Sequence, residues 1–215
     1  MQEDLANNRK SYSKSSLSED SISGNPMELF RDWYHELEKS QSAQEPNAMT
    51  LSTIGLDKFP KSRVVLLKKY TYEGFIFYTN YESEKGKAIE ADSRVCLSFF
   101  WSAMERQVIV KGNAEKIAEN LSDGYFESRP EGSKLGAIVS PQSSVIPSRA
   151  YLDDKLRELE KEYADKEIER PDFWGGYLVR PSSLEFWQGR PNRLHDRIRY
   201  TLMDDYNWKI ERLAP

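Results

Sequence analysis

Hydrophobic positions change their spacing along this chain. After Asn25-Pro26, Leu29, Phe30, Trp33 and Leu37 recur every three or four residues, which predicts an amphipathic helix. Asparagine is a common N-cap and proline fits the first helical turn. We therefore expect the helix to begin at this dipeptide.

From Ala48 the pattern changes to short runs rich in Val, Ile, Leu, Phe and Tyr, which predict β-strands. The connections are too short for helical crossovers, so we expect antiparallel pairing. Five consecutive strands at this spacing favour a barrel or a strongly curled sheet. The predicted strands are Ala48–Ile54, Ser62–Tyr70, Gly74–Thr79, Arg94–Trp101 and Arg106–Ile117.

The second half mixes helices, a polar loop and further strands. A helix over Ala118–Ser128 ends before Pro130, and residues 131–134 and 140–144 form a polar loop. A second amphipathic helix follows around Leu152, Leu156, Leu159 and Tyr163. The remaining predicted strands are Gly176–Val179, Ser183–Gln188, Arg193–Thr201 and Trp208–Leu213.

Composition bounds the class of protein. Residues 1–24 are polar and serine-rich and are expected to be a disordered arm, whereas residues 25–215 show no repeat and predict a single domain. The net charge of −4 argues against nonspecific binding of nucleic acid or anionic membranes.

Cysteine and histidine counts narrow the chemistry. Cys96 is the only cysteine, which excludes an intrachain disulfide, and two histidines argue against a zinc site, so no metal is expected. The amino terminus lacks a signal-peptide pattern, and no run approaches the about 18 apolar residues of a membrane span. We expect a cytoplasmic protein.

One stretch near the carboxyl end concentrates candidate ligand-binding residues. A turn is predicted at residues 189–191, and an extended chain after it would place Arg193, His195 and Arg197 on one face. Two cations beside an imidazole, with Trp187 close in sequence, suit a planar, anionic, aromatic ligand. Ion pairs with surface carboxylates are the alternative.

Four weaker signals precede this stretch. Regular alternation would put Arg63 and Lys68 on opposite faces of a strand, unless a bulge intervenes. Residues 83–87 could bind phosphate but lack the spacing of a nucleotide P-loop, so a surface loop is favoured. A buried amide at Gln107 could bind the edge of a heterocycle or the backbone. Tyr125 and Arg129, four residues apart, are expected on one helical face.

Taken together, the chain from about Met27 to Pro215 resembles the pyridoxine (pyridoxamine) 5′-phosphate oxidase family. The match extends over segments in the family's order and spacing. These are Arg63–Lys68, Phe77–Asn80, Glu105–Val108, Tyr125–Pro130, Ser140–Ser144, Phe173–Gly176, Glu185–Gly189, Arg193–Arg197 and Trp208–Pro215.

The resemblance implies a mainly β fold with flanking helices, an FMN-binding split β-barrel that forms a homodimer with FMN at the subunit interface. Several of the flavin-binding residues would come from the partner subunit. The positions that match the family's flavin-binding residues are Arg63, Val64, Leu66, Lys68, Tyr78, Thr79, Ser83, Lys85, Gln107, Gln142, Ser143, Trp187 and Arg197.

The resemblance also implies the reaction, the oxidation of pyridoxine or pyridoxamine 5′-phosphate to pyridoxal 5′-phosphate by O2. Lys68, Tyr125, Arg129 and Ser133 would bind the substrate phosphate. Arg193 and His195 would lie against the pyridine ring, with Arg193 orienting the reacting group. Arg9 and Tyr12 match an amino-terminal segment that can fold over the substrate. The alternatives are a noncatalytic flavin- or pyridoxal-phosphate-binding protein and a flavin reductase.

Three positions depart from the family pattern. Glu84 stands where family members often have arginine, which removes one cation from the flavin phosphate. Glu45-Pro46 replaces a common aspartate-proline, and residues 13–16 replace a glycine-rich stretch after Tyr12. The first change bears on flavin affinity and the last on closure of the amino-terminal segment.

Overall fold

The computed structural model describes residues 6–7 and 10–215. Its helices are α1 Pro26–Ser40, α2 Glu84–Ala91, α3 Glu119–Glu127, α4 Glu131–Val139 and α5 Arg149–Glu162. Its strands are β1 Ala48–Ile54, β2 Pro60–Leu66, β3 Lys69–Thr71, β4 Gly74–Asn80, β5 Arg94–Trp101, β6 Arg106–Lys116, β7 Trp174–Gln188, β8 Asp196–Leu202 and β9 Trp208–Arg212. The mainly β class with flanking helices is confirmed.

The first helix begins as the sequence predicts. The Asn25 side chain accepts a hydrogen bond from the Met27 amide, and Pro26 occupies the first turn. The apolar stripe is buried, and Phe30 packs at 5.2 Å from Phe99, measured between ring centroids. Helix α1 is therefore fixed by its own cap and by aromatic packing.

Within the described part of the chain, nine strands form one sheet, in the order β2-β1-β5-β6-β7-β4-β3, with β8 between β7 and β9. Pairing is antiparallel between β3 and β4, β4 and β7, β7 and β8, and β8 and β9, as predicted for short connections. The two strands predicted at 176–179 and 183–188 are one strand, β7, which pairs with β4 through its first part and β8 through its last.

The chain divides into two compact units. Unit 1 comprises residues 1–50, 97–111 and 181–215, and unit 2 comprises residues 51–96 and 112–180. In unit 2, Phe126, Leu135, Ile168 and Trp174 form a buried cluster, against which partly buried side chains of α5 pack. This packing accounts for the apolar stripe predicted on α5.

Two expected loops are helical. Residues 83–87 open α2, because the Ser83 side chain caps the Gly86 amide. Residues 131–134 belong to α4, where burial of Leu135 outweighs the low helix propensity of Gly132 and Gly136. Both helices depend on packing that the local pattern does not display.

Two predicted strands also differ in extent. The predicted strand 62–70 is two strands in the structure, β2 and β3, with a break after Leu66. The break occurs because β2 pairs with β1, whereas β3 pairs with β4. Residues Asn192 and Arg193 have φ of 56° and 62°, in the left-handed region that a strand cannot contain. The strand β8 therefore begins only at Asp196, and the expected common face of Arg193, His195 and Arg197 is wrong.

Residues 10–24 contact the rest of unit 1. Leu17 is buried, its amide donates to Asp196 and its carbonyl accepts from Arg212. The Tyr200 hydroxyl donates to the Ser23 carbonyl at 2.7 Å. Arg9 lies outside the described residues. Within those residues, no helix combines the length and apolarity needed to cross a membrane.

Candidate functional site

Unit 2 contains a group of polar side chains that we call the cationic cluster: Arg63, Thr79, Ser83, Lys85 and Gln142. The Lys85 ammonium donates to Gln142 Oε1 at 2.9 Å, to Thr79 Oγ1 at 3.2 Å and to Ser83 Oγ at 3.3 Å. Thr79 Oγ1 also donates to Gln142 Oε1 at 3.0 Å. Five residues from separate parts of the sequence thus meet in one place.

The first turn of α2 positions two members of this cluster. Ser83 Oγ donates to the Asn80 carbonyl at 2.6 Å and accepts from the Gly86 amide. A Cβ at Gly86 would lie 2.0 Å from the Tyr81 carbonyl oxygen, so only glycine allows this turn to pack so closely. The free amides of a helix amino terminus favour an anion, which suits the cations beside them.

The two cations of the cluster are incompletely neutralised. Burial and the nearby Arg63 charge lower the pKa of Lys85 to about 8. Burial likewise lowers the pKa of Arg63, whose Nη1 donates to Thr53 Oγ1 at 2.8 Å and to the Leu51 carbonyl at 3.3 Å. A bound anion would relieve both costs.

The position that departs from the family pattern lies next to this cluster. Glu84 pairs with Lys61 at 2.5 Å, and both side chains are about half exposed. Its negative charge opposes the lowering of the pKa of both Arg63 and Lys85. Glu84 therefore supplies a carboxylate near the place where the family pattern supplies a cation.

A second group of unit 2 combines stacked rings with an arginine. Tyr78 stacks on Tyr125 with ring centroids 3.9 Å apart and on Trp174 at 5.5 Å. The Arg129 guanidinium lies 4.6 Å from the Trp174 ring. Its buried Nη1 has no hydrogen-bond partner among the described residues, and burial lowers the pKa of Arg129. An unsatisfied buried donor of this kind fits an anionic ligand.

Arg129 borders a cavity of about 330 Å³ in unit 2. The cavity is lined by Asn80, Arg129, Ser133, Gly136, Ala137, Ser140, Gln142 and Trp174. Tyr125 and Arg129 both contact Trp174. Arg129 lies beyond the end of α3, so the expected placement of these two residues on one helical face is wrong. Ser133 is exposed in the first turn of α4.

The other expected residues of unit 2 lie near strand ends and in the polar loop. Lys68 is exposed in the interruption between β2 and β3, so the expected alternation with Arg63 along one strand is wrong. Val64 is 68% exposed on β2, and Leu66 is half-buried at its end. Ser143 is exposed, with φ of 72°.

Unit 1 contains a third group, which we call the histidine cluster: Tyr12, Trp187 and His195. Ring centroids of Trp187 and His195 are 4.7 Å apart, and Tyr12 lies edge-on to both at 5.6 and 5.8 Å. His195 Nδ1 accepts a 3.0 Å hydrogen bond from the Arg190 amide. A neutral imidazole here therefore bears its hydrogen on Nε2.

The remaining expected residues of unit 1, Arg193, Arg197 and Gln107, differ in their contacts and exposure. Arg197 pairs with Glu185 at 2.8 Å and donates to the Ala214 carbonyl at 2.7 Å. Arg193 is exposed in the turn before β8, and Gln107 is half-buried in β6. Ion pairing with a carboxylate, which the sequence offered as the alternative to ligand binding, is therefore observed for Arg197.

Sequence reasoning assigned no role to several residues that contact these groups. Trp174, Glu185 and Glu105 stand in segments that match the family, but their types gave no reason to single them out. Arg190 acts through its backbone amide, which no side-chain pattern reveals. Spacing alone could not have identified any of them.

A β-sheet fold with clustered cations, stacked aromatic rings and a guanidinium whose buried Nη1 lacks a hydrogen-bond partner among the described residues suits a phosphorylated, planar ligand. Comparison with known proteins makes this class specific. Residues 37–162 match the family model described as pyridoxamine 5′-phosphate oxidase, and residues 174–215 match the pyridoxine 5′-phosphate oxidase C-terminal dimerisation region. The chain belongs to the pyridoxamine 5′-phosphate oxidase family, and it is an oxidoreductase.

Relatives support this assignment over the full length. The pyridoxine/pyridoxamine 5′-phosphate oxidase of Flavobacterium psychrophilum is 66% identical over 212 residues, which cover 99% of each chain. The protein of the same name from Flavobacterium johnsoniae is 65% identical over 211 residues, which cover 98% of this chain and 99% of the relative. The family resemblance inferred from the sequence is confirmed.

Solved structures agree on the fold. PhzG from Burkholderia lata, in complex with tetrahydrophenazine-1-carboxylic acid, superposes with a TM-score of 0.85 at 27% identity, over 91% of this chain and 95% of that chain. A pyridoxamine 5′-phosphate oxidase-related, FMN binding protein from Nostoc punctiforme has a TM-score of 0.70 at 14% identity, over 91% of this chain and 99% of that chain. The expected split-barrel fold is confirmed.

Proposed function

We propose that this protein is an FMN-dependent oxidase that converts pyridoxine 5′-phosphate or pyridoxamine 5′-phosphate to pyridoxal 5′-phosphate. Full-length relatives named for this activity support the proposal. The observation that supports it most directly is the buried Lys85 ammonium, held by neutral oxygens beside Arg63. Such a site is stabilised by a phosphate dianion.

The cationic cluster would hold the FMN phosphate. Lys85 and Arg63 supply charge, Ser83 and Thr79 supply hydroxyls, and the first turn of α2 supplies backbone amides. On the family resemblance we assign Val64, Leu66, Lys68, Tyr78, Gln107, Gln142, Ser143, Trp187 and Arg197 to the same cofactor, with several of these residues supplied by the partner subunit. Arg197 would reach the flavin while its other contacts keep it oriented.

The substrate phosphate would bind beside Arg129. Its orphan Nη1 can donate to a phosphate oxygen, and stacking on Trp174 keeps the guanidinium plane fixed. Tyr125, Ser133 and Lys68 would add two hydroxyls and an ammonium. A ligand with a 5′-phosphate thereby gains contacts that an unphosphorylated analogue lacks.

The histidine cluster and Arg193 would act on the ring of the substrate. Arg193 would orient the group at the 4′ carbon and favour loss of its proton electrostatically. His195, with Nδ1 held by the Arg190 amide, would present Nε2 as a hydrogen-bond donor. When FMN is bound, the hydride transferred from the 4′ carbon to flavin N5 and the proton lost from the hydroxyl or amino group would together reduce O2 to H2O2. With pyridoxamine 5′-phosphate the oxidised product would be an imine, which water would convert to pyridoxal 5′-phosphate with release of ammonia.

The proposed function also includes a homodimeric assembly. The match of residues 174–215 to a dimerisation region supports a homodimer. We propose that FMN binds at the interface of the dimer, with residues contributed by the partner subunit. Tyr12 would then lie on the substrate side of the site, and the family resemblance assigns Arg9 to substrate binding as well.

An anaerobic absorption experiment tests this function. The purified protein, loaded with FMN, should bleach at its flavin band on addition of pyridoxine 5′-phosphate and recover its colour with air. Unphosphorylated pyridoxine at the same concentration is the matched control and should bleach it far more slowly. A protein that binds FMN but stays oxidised would instead support the noncatalytic alternative, and bleaching by NADH alone would support a flavin reductase.

A further inference from the structure

Glu105 is the most deeply buried carboxylate next to the amino-terminal arm, which we define as residues 10–17. Its side chain is only 2% exposed, in the turn between β5 and β6. Burial of a carboxylate is costly unless hydrogen bonds compensate for the lost water.

The carboxylate binds the arm itself. Glu105 Oε2 accepts from the Ser13 amide at 2.8 Å and from the Lys14 amide at 3.0 Å, and Lys10 lies 3.5 Å from Oε1. Burial alone would raise the pKa of the Glu105 carboxyl, but these donors hold it below its ordinary value. A charged carboxylate that binds two consecutive amides fixes the backbone of the arm at that point.

The arm also fits closely against the main part of unit 1. The Gly189 amide donates to the Glu105 carbonyl at 2.7 Å, and a Cβ at Gly189 would lie 2.8 Å from Cβ of Tyr12. Lys14 Nζ donates to the Ala103 carbonyl at 2.6 Å. Glycine at position 189 therefore leaves the space that the arm occupies.

Docking of the arm decides where Tyr12 lies. Ser13, whose amide Glu105 binds, is the next residue after Tyr12, and the Tyr12 ring lies edge-on to Trp187 and His195. Without the carboxylate, two amides would lose their acceptor and the ring would lose its fixed support. The position of Tyr12 thus depends on a carboxylate that binds the two residues that follow it, Ser13 and Lys14.

We propose that Glu105 is a positioning residue that docks the arm so that Tyr12 covers His195 and Trp187 during turnover. The inference rests on the proposed function, because it assigns the substrate to the side of His195. It goes beyond that function by identifying Glu105 as the residue that holds the arm in place. A purely structural role for Glu105 would stabilise unit 1 without changing how substrate is held.

The experiment compares Glu105→Ala and Glu105→Gln with the control Glu36→Gln. Glu36 is a neighbouring carboxylate that pairs with Arg106 at 2.6 Å and belongs to α1. All variants are loaded with FMN and measured for hydrogen exchange of the Ser13 and Lys14 amides, melting temperature, FMN affinity, and KM and kcat for pyridoxine 5′-phosphate. Glu105→Gln serves as the conservative variant, since its amide oxygen can still accept from both backbone amides.

We expect Glu105→Ala to release protection of the Ser13 and Lys14 amides and to raise KM by about tenfold, with FMN affinity unchanged. Glu105→Gln should recover most of this loss, and Glu36→Gln should resemble the wild type. Combining Glu105→Ala with Tyr12→Ala should add little to either single change, because both remove the same cover. Additive effects of the two changes would contradict the proposal.

The remaining outcomes separate this inference from the proposed function. Release of the arm with unchanged KM would overturn the positioning role, as would retained protection of both amides. A Glu105→Ala protein that fails to fold shifts the decision to Tyr12→Ala, for which a KM equal to that of the wild type would also overturn it. A wild type that shows no turnover would contradict the proposed function, and amide protection would then decide the docking claim alone.

Discussion

The Lys85 ammonium donates a 2.9 Å hydrogen bond to the side-chain oxygen of Gln142, so a buried cation is held by a neutral amide. Its other hydrogen-bond partners in the described part of the chain, Thr79 and Ser83, are also neutral. An ammonium in this setting is stabilised when a phosphate binds and destabilised when it does not. The consequence is a coupling between proton binding and flavin binding.

FMN affinity should therefore depend on pH through Lys85. Its pKa is lowered to about 8, whereas the FMN phosphate, with a second pKa of about 6, is already a dianion at neutral pH. Above pH 8 the amine loses its proton, so the dissociation constant for FMN should rise by at most about tenfold per pH unit. Titration of flavin fluorescence from pH 7 to 9.5 measures this.

Riboflavin, which lacks the phosphate, is the control ligand, and its weaker affinity should stay flat over the same range. Lys85→Met should remove the pH dependence of FMN binding. An equal slope for riboflavin and FMN would contradict the assignment of Lys85 to the phosphate.

The lowered pKa of Lys85 also predicts how the free energy of unfolding depends on pH. The folded pKa of Lys85, about 8, is below its unfolded value of 10.5, so the unfolded chain binds more protons between these limits. The free energy of unfolding of the flavin-free protein should therefore rise with pH above 8. Urea unfolding between pH 8 and 10 tests this, with Lys85→Met as a variant that should lack the rise.

Glu84 offers a second test of the cationic cluster. Its carboxylate pairs with Lys61 and lies near Arg63 and Lys85, so it would repel a bound phosphate. Because Glu84 is half exposed, we expect Glu84→Arg to tighten FMN binding by only ~0.5–1 kcal/mol. The gain should shrink at high salt, since exposed charges are screened.

Glu90→Arg is the control for this change, because Glu90 is also exposed on α2 but lies at the opposite end of the helix. It should leave the dissociation constant for FMN unaltered. If Glu84→Arg also leaves the dissociation constant for FMN unchanged, position 84 does not face the flavin phosphate.

Arg129 should discriminate between phosphorylated and unphosphorylated substrates. Arg129→Met removes the donor Nη1 but keeps an apolar chain over Trp174, so kcat/KM for pyridoxine 5′-phosphate should fall about 10- to 100-fold. Activity with pyridoxine at high concentration should change little. Arg129→Lys should recover only part of the loss, because an ammonium neither stacks nor binds phosphate in a fork.

The sequence could predict what is local in this fold. Helix α1 has its cap and its apolar stripe within one segment, and both predictions are confirmed. Hydrophobic spacing does not predict the start of α2, which depends on Gly86 packing against Tyr81. Nor does it predict the start of β8, which is set by the left-handed conformations of Asn192 and Arg193. These features arise from tertiary packing and backbone dihedrals, which hydrophobic spacing does not encode.

The candidate site shows the same division. Residue types such as Lys85 and Arg129 could be assigned from matching segments, but their environments could not. The neutral partners of Lys85, the stacking of Arg129 on Trp174 and the ion pair of Arg197 with Glu185 join residues distant in sequence or on paired strands. Only the folded chain shows which cations still lack a counter-charge.

Arg193 separates substrate chemistry from flavin binding. It is exposed in the turn before β8, and we place it beside the reacting group of the substrate. Arg193→Ala should lower kcat about 100-fold, as expected for loss of one group that stabilises developing charge, while the flavin spectrum and FMN affinity stay unchanged. Arg180→Ala, which removes an exposed arginine paired with Glu115, is the control and should keep full turnover. Steady-state oxygen consumption and flavin absorbance, measured on the same samples, decide between the roles, because equal loss of flavin and turnover would place Arg193 on the cofactor.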